Sequence, residues 1–171
     1  MELTKKERLF LYNQYEILKH LNPEEKEDYE KNQEIVYNGF KHNYNNLIEH
    51  FGEETPEEVS EFVYDVLQMY RCINDSYYSL CDEEKEEYNK LNTTFEGFDG
   101  NEEPQYYWYA CFLLQKLKIY EESYKDGKID TNSHWNKIDR YTGMISRWKE
   151  VRTGKYDKLS LENIRYIVSR Y

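Results

Sequence analysis

Between Tyr106 and Ile119 the only charged side chains are Lys116 and Lys118, in a chain that is 33% charged. A stretch carrying Tyr106, Trp108, Tyr109, Ala110, Phe112, Leu113, Leu114 and Leu117 is apolar on more than one helical face. It predicts a central helix, because such a face is stable only when covered. The residues before it predict how that helix begins. Thr94, Phe95 and Phe98 suit extended backbone, Gly97 and Gly100 permit angles that other residues resist, and Asp99 can accept from nearby amides in a turn. Asn101 is then the expected N-cap, with Glu102 and Glu103 at the positive end of the helix dipole, Pro104 in the first turn and Gly127 as the stop.

The rest of the chain reads as capped helices. Thr4-Lys5-Lys6-Glu7 is a capping-box pattern, followed by Leu11, Tyr15 and Leu18 on one face, widened by Phe10, Ile17 and Leu21. Asn22 as cap, Pro23 in the first turn and Gly39 as stop bound a second, more polar helix, and residues 40–51 suit a short third one. Thr55-Pro56-Glu57-Glu58 is the clearest start signal. Behind it Val59, Phe62, Val63, Val66, Met69, Tyr70, Ile73 and Tyr77 keep the period of a long buried helix. Residues 83–91 form a charged, solvated helical extension. Asn132 or Ser133 is the expected cap of a further helix with an apolar stripe of Trp135, Ile138, Tyr141 or Thr142, Ile145 and Trp148. Ser160 caps a last one, whose Leu161, Ile164, Ile167, Val168 and Tyr171 form a docking face. No alternating strand, repeat or Gly/Ser linker interrupts this pattern. The reading is all-α: one bundle-like domain over residues 1–171, of about seven or eight helices.

A chain of 171 residues can bury roughly 70% of its unfolded surface, enough for a core without staples. The net charge of −11 argues against binding to nucleic acid or anionic membranes. The charge is uneven: residues 134–171 hold nine Lys or Arg against four Asp or Glu, a net of +5, which leaves −16 for residues 1–133. Three cysteines, Cys72, Cys81 and Cys111, cannot all pair with one another and lack C-x-x-C spacing, so they read as reduced and mostly buried. There is no signal-peptide core and no uncharged run of membrane-spanning length, which points to the cytoplasm.

Glu7-Arg8-Leu9 with Leu11, Asn13-Gln14-Tyr15, Phe95 with Gly97-Phe98-Asp99, Tyr106 and Tyr109, and Leu159-Ser160 before Ile164 together resemble the bacterial YfbU family across nearly the whole chain. The resemblance implies an all-helical cytoplasmic domain without an agreed biochemical activity. Some members look fused to a helix-turn-helix DNA-binding domain, which implies a sensory or ligand-binding role by analogy; no such reader, and so no transcriptional role, is expected within these 171 residues.

Catalytic templates fail. His20, His42, His50 and His134 have neither H-x-x-x-H spacing nor a Glu three residues before them, so no metal is expected. Serine-hydrolase, P-loop and dinucleotide glycine patterns are absent, as is the Arg-to-His spacing of HEPN-type ribonucleases. No cofactor and no catalytic residue are expected. Two polar clusters remain. Arg8, Asn13 and Gln14 sit in an otherwise apolar helix and read as a structural network, with Asn13 and Gln14 bonding to the loop from Phe95 to Asn101. Asp99, Asn101, His134 and Arg140, with Asn132 and Trp135 nearby, are the candidate ligand-binding residues. The expected function is a self-associating interaction or regulatory module, a dimer contacting through His134 to Tyr171, where Trp135, Tyr141, Trp148, Tyr166 and Tyr171 cannot all face one core. The alternative is a small-molecule binder or an unrecognised enzyme with a pocket beside the Gly97–Asn101 turn.

Overall fold

The structure, a computed structural model, describes residues 1–120, 131–154 and 158–169. Among them are seven α-helices and no strand, so the protein is all-α. Contacts divide the chain into two compact units, residues 1–54 and 55–171.

In the first unit, α1 (Lys5–Leu21) and α2 (Lys26–Asn38) form a helical hairpin joined by a 3-10 turn at Pro23–Glu25. The capping box forms as expected: Thr4 accepts from the Glu7 amide, and Glu7 accepts from the Thr4 amide. Gly39 ends α2 in the left-handed region at φ 73°. Asn22 makes no capping bond; its side chain donates to the Tyr29 hydroxyl instead. The expected short third helix is a 3-10 segment, Lys41–Ile48. Burial here is sparse. Gln33, Val36 and Tyr44 are buried, whereas no residue of α1 is.

The second unit is built on α3 (Glu57–Ser76), which buries Val63, Val66, Leu67, Tyr70 and Ile73 completely. Pro56, rather than Thr55, occupies its N-cap position. After a 3-10 turn at Tyr77–Ser79, α4 (Asp82–Tyr88) is solvated apart from buried Tyr88. The central helix starts later and ends earlier than its sequence predicts: α5 spans Pro104–Cys111, with Glu103 and not Asn101 at the N-cap. It then widens into a π turn, Phe112–Lys116, closed by a 2.9 Å bond from the Leu117 amide to the Phe112 carbonyl. Left-handed Lys118 and Tyr120 follow, and Gly127 lies outside the described residues. Ala110, Cys111, Leu113 and Leu114 are buried, but Trp108 is 66% exposed, so this segment shares the centre with a third helix. That helix, α6 (Ile138–Val151), begins several residues beyond Asn132 and Ser133 and buries Tyr141, Met144, Ile145, Arg147 and Trp148. Trp135 falls outside it and is exposed.

The last helix, α7 (Leu161–Val168), is capped by Ser160, which accepts from the Asn163 amide, and buries Leu161, Ile164 and Ile167. Tyr171 lies outside the described residues. Two contacts seat the lead into α7 on the end of α3: Leu159 donates its amide to Ser76 Oγ at 2.8 Å, and Lys158 Nζ donates to the Asp75 carbonyl at 3.0 Å.

Candidate functional site

The polar centre of the second unit is assembled where the loop before α5 meets the chain before α6. Gly97 makes the approach work. Its φ is +84°, and a Cβ there would stand 2.2 Å from the Thr131 carbonyl oxygen, so no side chain fits. The close approach lets Phe98 donate to the Thr131 carbonyl at 3.0 Å and accept from the Ser133 amide at 3.1 Å. Asp99 then turns the chain. Its Oδ1 accepts from the amides of Asn101 at 2.8 Å and Glu102 at 3.2 Å, the turn-holding role its type and position predict. Glu103, 2% exposed, uses both carboxylate oxygens on backbone. One accepts from the Asp99 amide at 2.9 Å, and the other accepts from Lys137 at 2.6 Å and Ile138 at 2.8 Å. The N-terminus of α6 is therefore capped by a carboxylate from another segment, which satisfies its orphan amides and complements its dipole.

Glu96 is the ionic hub. Its carboxylate takes the Lys137 ammonium, the Asn92 amide and, at 2.9 Å, the Arg140 guanidinium. Burial pushes its pKa up, but Lys137, Asn92 and Arg140 outweigh burial and hold it at about 2. Beneath this clamp the Tyr141 hydroxyl accepts from the Glu96 amide at 3.2 Å and donates to the Gly97 carbonyl at 3.0 Å. Phe95, Phe98 and Tyr70 surround the Tyr141 ring at centroid distances of 5.9, 5.3 and 5.9 Å. Burial drives the Tyr70 and Tyr141 phenols well above the usual tyrosine range, so both keep their protons at neutral pH. The carboxylates of Glu96, Asp99 and Glu103 and the Tyr141 hydroxyl all find partners within the protein, and together they tie the loop before α5 to the start of α6.

Two comparisons fix the relationship of the chain to known proteins. The model of the YfbU domain matches residues 1–169, and the UPF0304 protein MJECS11 of Methanocaldococcus jannaschii is 33% identical over 157 residues, covering 91% of this chain and 92% of its own length. The chain belongs to the YfbU family. That family has no assigned function, so the relationship supports the fold and the extent of the match while leaving the activity to be argued from the residues.

Most of the residues that carry the YfbU resemblance have structural work in this chain. Phe95, Gly97, Phe98 and Asp99 build the closed turn, and Leu159-Ser160 anchors and caps α7. Arg8 closes α2, donating from Nε to the Val36 carbonyl at 2.7 Å and from Nη2 to the Tyr37 carbonyl at 3.0 Å. Asn13 and Gln14 are exposed on α1, so desolvation makes no demand for partners there. The loop from Phe95 to Asn101 is held by Thr131, Asn132, Tyr141 and Glu103 of its own unit.

The four candidate ligand residues are brought into one neighbourhood but spread over different tasks. Asn132 Oδ1 accepts from the Gly100 amide at 3.2 Å and the His134 amide at 3.1 Å, tying the Asp99 turn to the His134 segment. Asn101 is exposed beside Asp99, and His134 is exposed with left-handed backbone at φ 56°. Arg140 goes to Glu96 and not to Asp99. The sequence does not point to Glu96, and it places Glu103 at the dipole of its own helix without its bonds to the start of α6. The spacing of Lys137 and Arg140, three apart at a helix start, is the signal that could have pointed to a carboxylate between them.

Proposed function

We propose that this YfbU-family protein is a self-associating helical interaction module whose contact is the outer face of α1. The observation that carries this is the stripe of Phe10, Ile17 and Leu21, exposed by 59, 53 and 68%, on a helix with no buried residue. Tyr12, Tyr15 and Arg8 turn toward α2 on the opposite side, where Tyr12 and Tyr15 meet Tyr37 and Tyr29 at 5.9 and 6.2 Å. A unit of this length buries only about 60% of its unfolded surface at best. An uncovered apolar row on it is better explained by an assembly than by a monomer. The occupant is a second copy, because an isologous pairing brings like apolar stripes together and closes without residual surface. In the C-terminal segment Tyr141 and Trp148 are buried and take no part. We place the protein in the cytoplasm, a reading supported by three free cysteines. Among the described residues no helix is long and apolar enough to cross a membrane.

Sedimentation velocity tests the reading. The wild-type chain is expected to be a dimer, and Phe10→Glu with Ile17→Glu to be a monomer of unchanged helix content, since both side chains are more than half exposed. A wild-type monomer at high concentration and low salt rejects self-association. A dimer untouched by the double substitution rejects α1 as its contact.

A further inference from the structure

A cavity of about 590 Å³ opens within the second unit, with no residue of the Asp99 turn in its lining. Its volume is in the range of small-molecule sites. Tyr64, Asp65 and Gln68 of α3 form one side. Trp148 of α6 and the residues just after that helix, Arg152 and Thr153, form another, with Tyr120 at the edge. Three aromatic rings thus line the space.

The charges around it are unequal in how they are satisfied. Asp65 is neutralised by Lys149 at 2.5 Å. Arg152 lies over the Trp148 ring, its guanidinium 4.6 Å from the centroid, and pairs with no carboxylate among the described residues. A guanidinium stacked on an indole keeps its in-plane donors available. The same indole holds a second unmet donor: Trp148 is 1% exposed, and its Nε1 has no acceptor. A buried donor without an acceptor costs about 1–3 kcal/mol, and such groups ask for an explanation in a ligand or in strain. The cavity therefore combines aromatic walls, a neutralised carboxylate and one cation without a carboxylate partner among the described residues, and the indole in its wall carries an orphaned N–H.

We propose that this cavity binds a small aromatic carboxylate. The ring packs against the tyrosines, and the carboxylate accepts from the Arg152 guanidinium and from Trp148 Nε1–H. A single available cation fits a monoanion better than a phosphate, whose higher charge calls for several donors.

Two-dimensional 1H–15N NMR reads this directly, because the indole N–H of Trp148 has its own resonance. It is distinguished from those of exposed Trp108 and Trp135 by Trp108→Phe and Trp135→Phe. Benzoate is expected to shift the Trp148 resonance saturably, with half-saturation at or below about 1 mM. Benzamide, isosteric but neutral, should bind roughly ten-fold or more weakly, as loss of a charge-assisted contact requires, and inorganic phosphate should leave the resonance in place. Arg152→Gln, at an exposed position, should weaken benzoate to the benzamide level. Equal shifts from benzoate and benzamide, or no saturable shift of Trp148 with benzoate, overturn the proposal in the wild-type protein alone. Benzoate affinity unchanged in Arg152→Gln overturns the assigned role of the guanidinium.

Discussion

Glu96 illustrates how one side chain can carry a load that no local rule assigns to it. Its carboxylate is held near pKa 2 by Lys137, Asn92 and Arg140 against the opposing effect of burial. A depressed carboxylate pKa stabilises the fold above the ordinary carboxylate range, and that contribution is lost as pH falls from about 4.5 toward 2. Glu96→Gln should therefore lower stability at pH 7 by about 1–2 kcal/mol. The difference from wild type should shrink through that acid window and vanish near its lower end, as measured by urea unfolding at a series of pH values. Asp99 behaves differently, because what its neighbours need is an acceptor oxygen and not a charge. Asp99→Asn retains Oδ1 for the Asn101 and Glu102 amides and should unfold close to wild type, whereas Asp99→Ala should lose about 1 kcal/mol. Equal losses in the two variants would make the charge itself essential.

Helix ends separate what the sequence announces from what it hides. Thr4 with Glu7, Gly39 and Ser160 terminate helices through bonds spanning a few residues, so their spelling was enough to place them. The start of α6 was misplaced at Asn132 or Ser133 because its cap, Glu103, is 34 residues away in the chain. Trp135 was lost from the apolar stripe for the same reason. The π turn also escaped notice: a run apolar on several faces gives no phase from which a widened turn could be read. Of the candidate site, the nearness of the Asp99 turn to the His134 segment was legible, while the partner of Arg140 was not. Arginines at C-terminal ends show the same limit. Arg8 closes α2, and buried Arg147 closes α7, donating to the Ile167 carbonyl from Nε at 3.1 Å and Nη2 at 2.8 Å and to the Ser169 carbonyl at 3.0 Å. Arg147→Met keeps apolar bulk but removes every one of those donors. It should cost about 2–3 kcal/mol and raise proteolytic cleavage near α7 before global unfolding, which limited proteolysis will detect. Wild-type resistance in that variant would mean that Ile164 and Ile167 hold α7 without it.

For the molecule as a whole, the proposed self-association rests on the distribution of apolar surface rather than on net charge. The proposed association through Phe10, Ile17 and Leu21 should persist as salt is raised, because screening within about 8 Å at physiological ionic strength weakens charge pairs and leaves apolar burial intact. A dimer that dissociates in salt, followed by sedimentation, would assign the contact instead to the +5 segment from residue 134 and the −16 remainder. Within the second unit, Glu103 has a consequence for time as well as for space. Its two oxygens hold the amide hydrogens of Asp99, Lys137 and Ile138, so none of the three can meet solvent until that single carboxylate lets go. In deuterium exchange they should keep a common clock, opening in one event although the loop and the helix are far apart in the chain, and Glu103→Gln should accelerate all three together.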